Sequence, residues 1–146
     1  MSATNAAEQA MLDLIFLNVD WANIGDAGGL QNSAVAGVFY ISLHTADPGE
    51  TGDQTTSEAA YTSYARVSVP RSGVGFTRTG SQMANAALVQ FPKATGSTAV
   101  CTHFGIGTAA SGAGNLLFIG ALDDTLSVST NIQPQFDAGT LVVEVE

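Results

Sequence analysis

Through most of the chain, glycine, proline and short polar runs recur so often that only short strands fit between them. Residues 35–45 alternate most clearly, with Val38 and Tyr40 on one face and Phe39 and Ile41 on the other. Because both faces are largely apolar, this segment is predicted to be a central strand covered on both sides. The other segments predicted as strands are residues 64–69, 75–78, 83–91, 99–106, 116–122, 125–129, 132–136 and 141–145.

Short strands with turn signals at this density favour an all-β fold over a parallel α/β sheet. We therefore expect a β-sandwich or jelly-roll-like domain over residues 35–146, within a chain that folds as one domain from residue 1 to residue 146. Residues 116–122 are apolar on both alternating faces, so they are expected to be buried on both. In residues 64–69 the alternation directs Arg66 outward.

The first 24 residues are predicted to form an N-terminal α-helix and a lead-in to the strands. Asn5 is the expected N-cap, and Glu8 three residues later resembles a capping box. Three large apolar residues, Met11, Phe16 and Trp21, belong to the expected apolar face. This face has two interpretations: the core side of an amphipathic helix, or a surface that lies on a neighbouring subunit, where aromatic residues and Met are enriched.

Charged residues are scarce and mostly acidic. They make up 12% of the chain, about half the ~25% that is typical of globular domains. Four Lys and Arg stand against thirteen Asp and Glu, which gives a net charge of −9. Such a chain repels phosphate backbones and anionic lipids, so neither nucleic acid nor a membrane is an expected partner. The single cysteine, Cys101, excludes an intrachain disulfide and fits folding in a reducing cytoplasm.

Few residues have the pattern of a catalytic or metal site. Cys101 and His103 lie two residues apart and would share one face of a strand, as in a nucleophile–base pair or half a metal site. Since no CxxC or HxxxH pattern accompanies them, an inert buried cysteine is the stronger interpretation. Ser111 has no GxSxG frame, and the glycines around it form no GxGxxG. We therefore predict no enzyme, no metal and no cofactor.

The polar loop after the first predicted strand carries three acidic residues, Asp47, Glu50 and Asp53. Their spacing of three does not match the dense oxygen-ligand pattern of a Ca²⁺ loop. Two interpretations stay open. The loop is either a solvated segment whose charges repel one another, or a group of carboxylates that meets a basic patch on a partner protein.

Three segments resemble a family of small proteins encoded by tailed phages and prophages. They are YISLHTADPGETG at residues 40–52, YARVSVPR at 64–71 and THFGIGTAASGAG at 102–114. LHTADPGE is the most specific part. Members are often labelled tail fibre protein, and some resemble capsid cement or decoration proteins. The resemblance implies a structural role in the virion, an oligomeric or lattice-bound state, and no catalytic residues.

The leading hypothesis is a capsid decoration protein that forms homo-oligomers and binds the major capsid protein, or another virion protein, on the head exterior. The alternative is a tail-fibre or tail-tip structural or adaptor protein. A small hydrolase acting on cell-surface glycan is the third hypothesis. As a structural protein, the chain is expected to be assembled into the virion in the host cytoplasm. The residues expected to contact partners are Met11, Phe16, Trp21, Asp47, Glu50 and Asp53.

Overall fold

The computed structural model describes residues 2–145. It confirms an all-β fold with one short N-terminal helix, since 37% of the chain is strand and 9% is helix. The chain divides into two compact units, each assembled from non-adjacent segments. The helix unit comprises the described parts of Met1–Val38, Pro70–Leu88 and Asp137–Glu146, and the sheet unit comprises Phe39–Val69 and Val89–Phe136. The single-domain organisation stays a prediction.

The described elements begin with helix α1, Asn5–Leu17. In chain order the strands are β1 Val38–His44, β2 Val67–Pro70, β3 Phe76–Thr79, β4 Gln82–Asn85, β5 Val89–Gln90, β6 Ala99–Gly107, β7 Leu116–Val128, β8 Gln135–Phe136 and β9 Val142–Glu144. Residues 64–66 and 132–134, predicted as strand, lie outside β2 and β8. Two predicted segments are also grouped wrongly. Predicted segments 116–122 and 125–129 form one strand, β7, and predicted segment 83–91 is divided between β4 and β5, which belong to different units.

The N-terminus of α1 is capped one residue earlier than the sequence predicted. Thr4 has an extended backbone, and its hydroxyl accepts a hydrogen bond from the first turn. Asn5 is therefore the first helical residue and not the N-cap. The expected capping box does not form, because with Thr4 as the N-cap the third helical residue is Ala7 and not Glu8. The Glu8 carboxylate instead accepts a hydrogen bond from Ser81 Oγ at 2.6 Å.

The C-terminus of α1 is closed by a left-handed residue and a cation. Asn18 adopts φ 58°, and the guanidinium of Arg71 donates to the main-chain carbonyls of Leu14 and Ile15. A cation at this position satisfies carbonyls that have no partner within the helix. Since α1 ends there, Trp21 lies beyond the helix and not on its face.

In the helix unit, α1 packs against an antiparallel sheet of order β3-β4-β9. The rings of Phe16 and Phe76 meet edge to face, with centroids 4.9 Å apart. Leu12 and Phe16 are fully buried, and each such side chain stabilises the fold by about 1.5–3 kcal/mol. The carboxamide of Asn85 fixes the last segment, since its Oδ1 accepts from the N–H of Leu141 at 2.9 Å.

The sheet unit is built on a four-stranded sheet of order β2-β1-β6-β7, here called the main sheet. β1 is an inner strand with its last four residues buried, which confirms the predicted central strand. The short ladder of β5 and β8 brings the ring of Phe136 edge-on to Phe104 of β6, with centroids 6.1 Å apart. This ladder therefore covers one face of the main sheet, as in the predicted sandwich.

Candidate contact surface

Two of the three loop acids shape the loop that carries them. Asp47 Oδ1 accepts a hydrogen bond from the N–H of Gly49 at 2.8 Å. Asp53 Oδ1 accepts from the hydroxyl and the N–H of Thr55, at 2.6 and 2.7 Å. These hydrogen bonds lower the pKa of Asp53, because they favour the charged carboxylate. Glu50 and Asp47 are exposed, and Asp53 is half-buried.

The side chain of Gln54 connects this loop to the loop between β6 and β7. Gln54 is completely buried. Its side-chain Oε1 accepts from the N–H of Ala109, and the main-chain N–H of Gln54 donates to the carbonyl of Ala113, both at 2.9 Å. Gly107 and Gly114 leave the space for it, since an added Cβ at Gly107 would lie 2.2 Å from Gln54 Cδ and one at Gly114 would lie 2.3 Å from Gln54 Oε1.

Arg66 makes a second connection between the same two loops. Its side chain is only 2% exposed and forms a bidentate pair with Glu58, at 2.7 and 2.8 Å. The same guanidinium donates to the carbonyls of Ala109 and Gly112, each at 2.8 Å. The hydrogen bond to Glu58 raises the pKa of Arg66, so the arginine stays charged. The outward orientation predicted for Arg66 is therefore wrong, because Glu58 and the carbonyls draw its head group inward.

The loops at residues 45–60 and 108–115, joined by Gln54 and Arg66, are here called the loop platform. Tyr64 extends its network to β1. The Tyr64 hydroxyl donates to Glu58 at 2.9 Å and accepts from the N–H of Leu43 at 3.1 Å. Burial raises the pKa of Tyr64, so the phenol stays neutral. The loop platform is thus held in one conformation by buried polar contacts.

Ser42 and His44 form a hydroxyl–imidazole pair that sequence reasoning did not identify. Ser42 Oγ and His44 Nε2 are 2.8 Å apart, and His44 Nδ1 lies 2.8 Å from the carbonyl of Thr56. Since a carbonyl only accepts, Nδ1 carries the proton and Nε2 accepts from Ser42. Burial lowers the pKa of His44 and favours this neutral ring. Both side chains are completely buried, so no substrate reaches them.

Cys101 and His103 do not form a reactive pair. Cys101 is completely buried, and this burial raises the pKa of its thiol to about 11. The pairing of β6 with β7 shifts between these two residues, and His103 Nδ1 lies 2.9 Å from Thr102 Oγ1. Within residues 2–145, no group of three or more His, Cys, Asp or Glu side chains could hold a metal ion.

β7 is an edge strand of the main sheet and lies next to the loop platform. Leu117 and Ile119 are 44% and 37% exposed. The prediction that residues 116–122 are buried on both faces is therefore wrong. A hollow of about 250 Å³ is lined by Leu116–Ile119 together with Glu50 and the glycines beside it, so the strand and the acidic loop form one continuous surface.

The family model described as Podophage GP4 fiber I protein gp80 matches residues 2–144. This chain belongs to that family. A search of curated proteins finds no match to it.

Membership in the fiber I protein family confirms the broad prediction of a phage virion structural protein. The family is structural in kind, and such a protein associates with other virion proteins. The match does not single out LHTADPGE at residues 43–50, so that signature stays a prediction. Among the helices in the described part of this fiber I family member, none has the length and apolar character required to cross a membrane.

The six predicted contact residues fall into two groups. Asp47, Glu50 and Asp53 share one loop of the sheet unit. Met11 and Trp21 are half-buried in the helix unit, and Trp21 exchanges two backbone hydrogen bonds with Leu30. Phe16, in the same unit, lies in the core.

Sequence reasoning on this fiber I family member missed Gln54 and Arg66 as the residues that fix the loops, and Leu117 and Ile119 as exposed. The seven uncharged residues at 116–122 were the available signal for an apolar contact strand.

Proposed function

We propose that the protein is a structural component of a podophage fibre and acts through protein–protein contacts. The observation that carries the proposal is the match of residues 2–144 to a family described as a fiber protein. The loop platform supports it, because Gln54 and Arg66 fix both loops before a partner arrives. A surface already ordered in this way loses little conformational entropy on binding.

Within the loop platform, Glu50 is the acid best placed to meet a partner. Both Glu50 and Asp47 are exposed, but Asp47 and Asp53 accept hydrogen bonds that close turns of their own loop. A basic patch on another virion protein is the complementary surface. Met11 and Trp21 of the helix unit are proposed as a separate contact, since both are half-buried. Phe16 is left out because its side chain is in the core.

The proposal includes no catalytic role. Ser42, His44 and Cys101 carry the groups that would serve a nucleophilic mechanism, and all three are completely buried. Their complete burial supports a structural role for these residues.

Capsid decoration is the second candidate. A rigid loop platform on a chain poor in charge would also suit a protein that rests on the head exterior and contacts the major capsid protein. The fibre is preferred because the family description names a fiber and not a head protein.

Gold-labelled antibodies against this chain, applied to intact particles, test the location. We expect label on the fibres, at the tail or its junction with the head. Label spread over the head surface would favour decoration instead. Absence of the protein from purified particles would contradict both structural roles.

A further inference from the structure

We propose that β7 pairs with β7 of a second copy of this chain, antiparallel and about a two-fold axis near Ile119. The main sheet would then continue from one copy into the next. This inference goes beyond the proposed function and does not depend on where in the particle the protein lies.

The two edges of the main sheet differ in how open they are to pairing. β2 has four residues and ends at Pro70, which has no N–H to donate. β7 has 13 residues, and within residues 2–145 β6 is its one strand neighbour in the sheet. Residues 116–122 contain no Lys, no Pro and no other charge. Proteins usually protect exposed edges with such residues, so this edge is suited to receive another strand.

The net negative charge of the chain restricts the ways in which two copies can pair. Each copy carries −9, so a contact between copies must keep acidic residues apart. Asp123 and Asp124 follow the uncharged segment directly, within residues 122–125, which bulge out of the pairing between β6 and β7. An axis at Asp123, or a parallel arrangement in register, would place these carboxylates opposite each other.

Antiparallel pairing about Ile119 separates the acids. Asp123 would lie opposite Asn115 of the second copy, and the two Asp123 residues would be eight residues apart along the paired strands. At about 3.3 Å per residue this is roughly 26 Å, well beyond the screening length of about 8 Å at physiological salt. The acidic bulge thus excludes an axis near Asp123.

The exposed side chains fit the same axis. Leu117, Ile119 and Ala121 alternate on the exposed face of β7. Across the axis, Ile119 lies opposite Ile119, and Leu117 lies opposite Ala121. The pairing therefore matches apolar side chains of the two copies, and residues 116–122 themselves bring no charge into it.

Cysteine crosslinking of the full-length chain tests the register. In an antiparallel pair, opposite Cα atoms are about 4.5–5.5 Å apart, which is within the range of a disulfide. Ile119→Cys is expected to form a disulfide-linked dimer on mild oxidation. Leu117→Cys alone is not, because its two copies would be about 13 Å apart, but it should crosslink when mixed with Ala121→Cys. The native Cys101 is buried and does not interfere.

Analytical ultracentrifugation over a range of protein concentrations tests the association itself. We expect a reversible dimer, weakened at least tenfold by Ile119→Lys and by Leu117→Lys, and unchanged by Val74→Lys. Val74 is the matched control, since it is 74% exposed and lies outside β7. Thermal unfolding of each variant shows whether it has folded.

Any of four results would overturn the inference. Three of them are a monomer at every concentration, a dimer that folded Ile119→Lys and Leu117→Lys leave intact, and crosslinking through Leu117→Cys alone. Pairing of β7 with a different virion protein, and not with itself, would also overturn it.

Discussion

At the residue scale, the buried pair of Arg66 and Glu58 connects three parts of the sheet unit. Arg66 next to β2 reaches Glu58 in the first loop and the carbonyls of Ala109 and Gly112 in the second. Truncation of Arg66 would leave two carbonyls without this donor and the Glu58 carboxylate with the Tyr64 hydroxyl but no cation. The cost of such a change comes mainly from the groups left behind.

Replacing Arg66 with Ala is therefore expected to destabilise the fold by about 3–5 kcal/mol, as measured by urea unfolding. The control is Arg78→Ala. Arg78 pairs with Asp13 at 2.6 Å, but the two side chains are 29% and 23% exposed. Its loss should cost no more than about 1 kcal/mol. Equal losses in the two variants would contradict the role given to burial.

His44 gives the stability a pH dependence. Burial lowers its pKa below the ordinary value of 6.5. Below that pH the unfolded chain takes up a proton that the folded chain does not bind, so stability falls as the pH drops below about 6.5. The His44→Gln variant should have a lower free energy of unfolding than the native chain at neutral pH. On acidification, that free energy should fall less than it does in the native chain. Urea unfolding at about pH 7.5, 6.5 and 5.5 measures this. His103 is present in both proteins, and parallel pH profiles would contradict the assignment to His44.

At the scale of elements, the packing of Gln54 against Gly107 decides whether the two loops act as one. An alanine at residue 107 would place its Cβ 2.2 Å from Gln54 Cδ. Gly107→Ala should therefore cost about 1–3 kcal/mol through overpacking. In a chain that already carries Gln54→Ala, the same change should cost almost nothing, because the space is empty. Unfolding of the two single variants and the double variant gives the coupling, and additive losses would show that the loops are not joined here.

The elements also show what the sequence could and could not predict. The alternation of apolar and polar residues predicted the all-β class and the inner strand β1, because both depend on a local burial pattern. The same alternation could not predict that β7 is an edge strand, since strand order depends on pairing between distant segments. The split of residues 83–91 has a similar cause: the chain leaves the sheet containing β4 and enters the ladder containing β5. In the site, the acidic residues of the loop could be identified from the sequence. The orientation of Arg66 was predicted wrongly, because its partners lie 8 to 46 residues away along the chain.

At the scale of the whole molecule, a net charge of −9 acts on every association. At separations shorter than the screening length, two copies repel each other. A basic partner is attracted at the same separations. The proposed contact between β7 strands contains no charge at residues 116–122, whereas the proposed partner contact through Glu50 depends on charge. The two kinds of contact should therefore respond to salt in opposite directions.

Raising NaCl from about 0.1 M to about 1 M shortens the screening length from about 10 Å to about 3 Å. Self-association through β7 should strengthen, because the repulsion between copies is screened while the apolar contact is kept. Binding to a basic virion partner should weaken, and Glu50→Gln should reduce that salt dependence. Sedimentation at the two salt concentrations measures both effects. Dissociation of the dimer by salt would mean that charges hold the copies together, which the uncharged β7 segment cannot do.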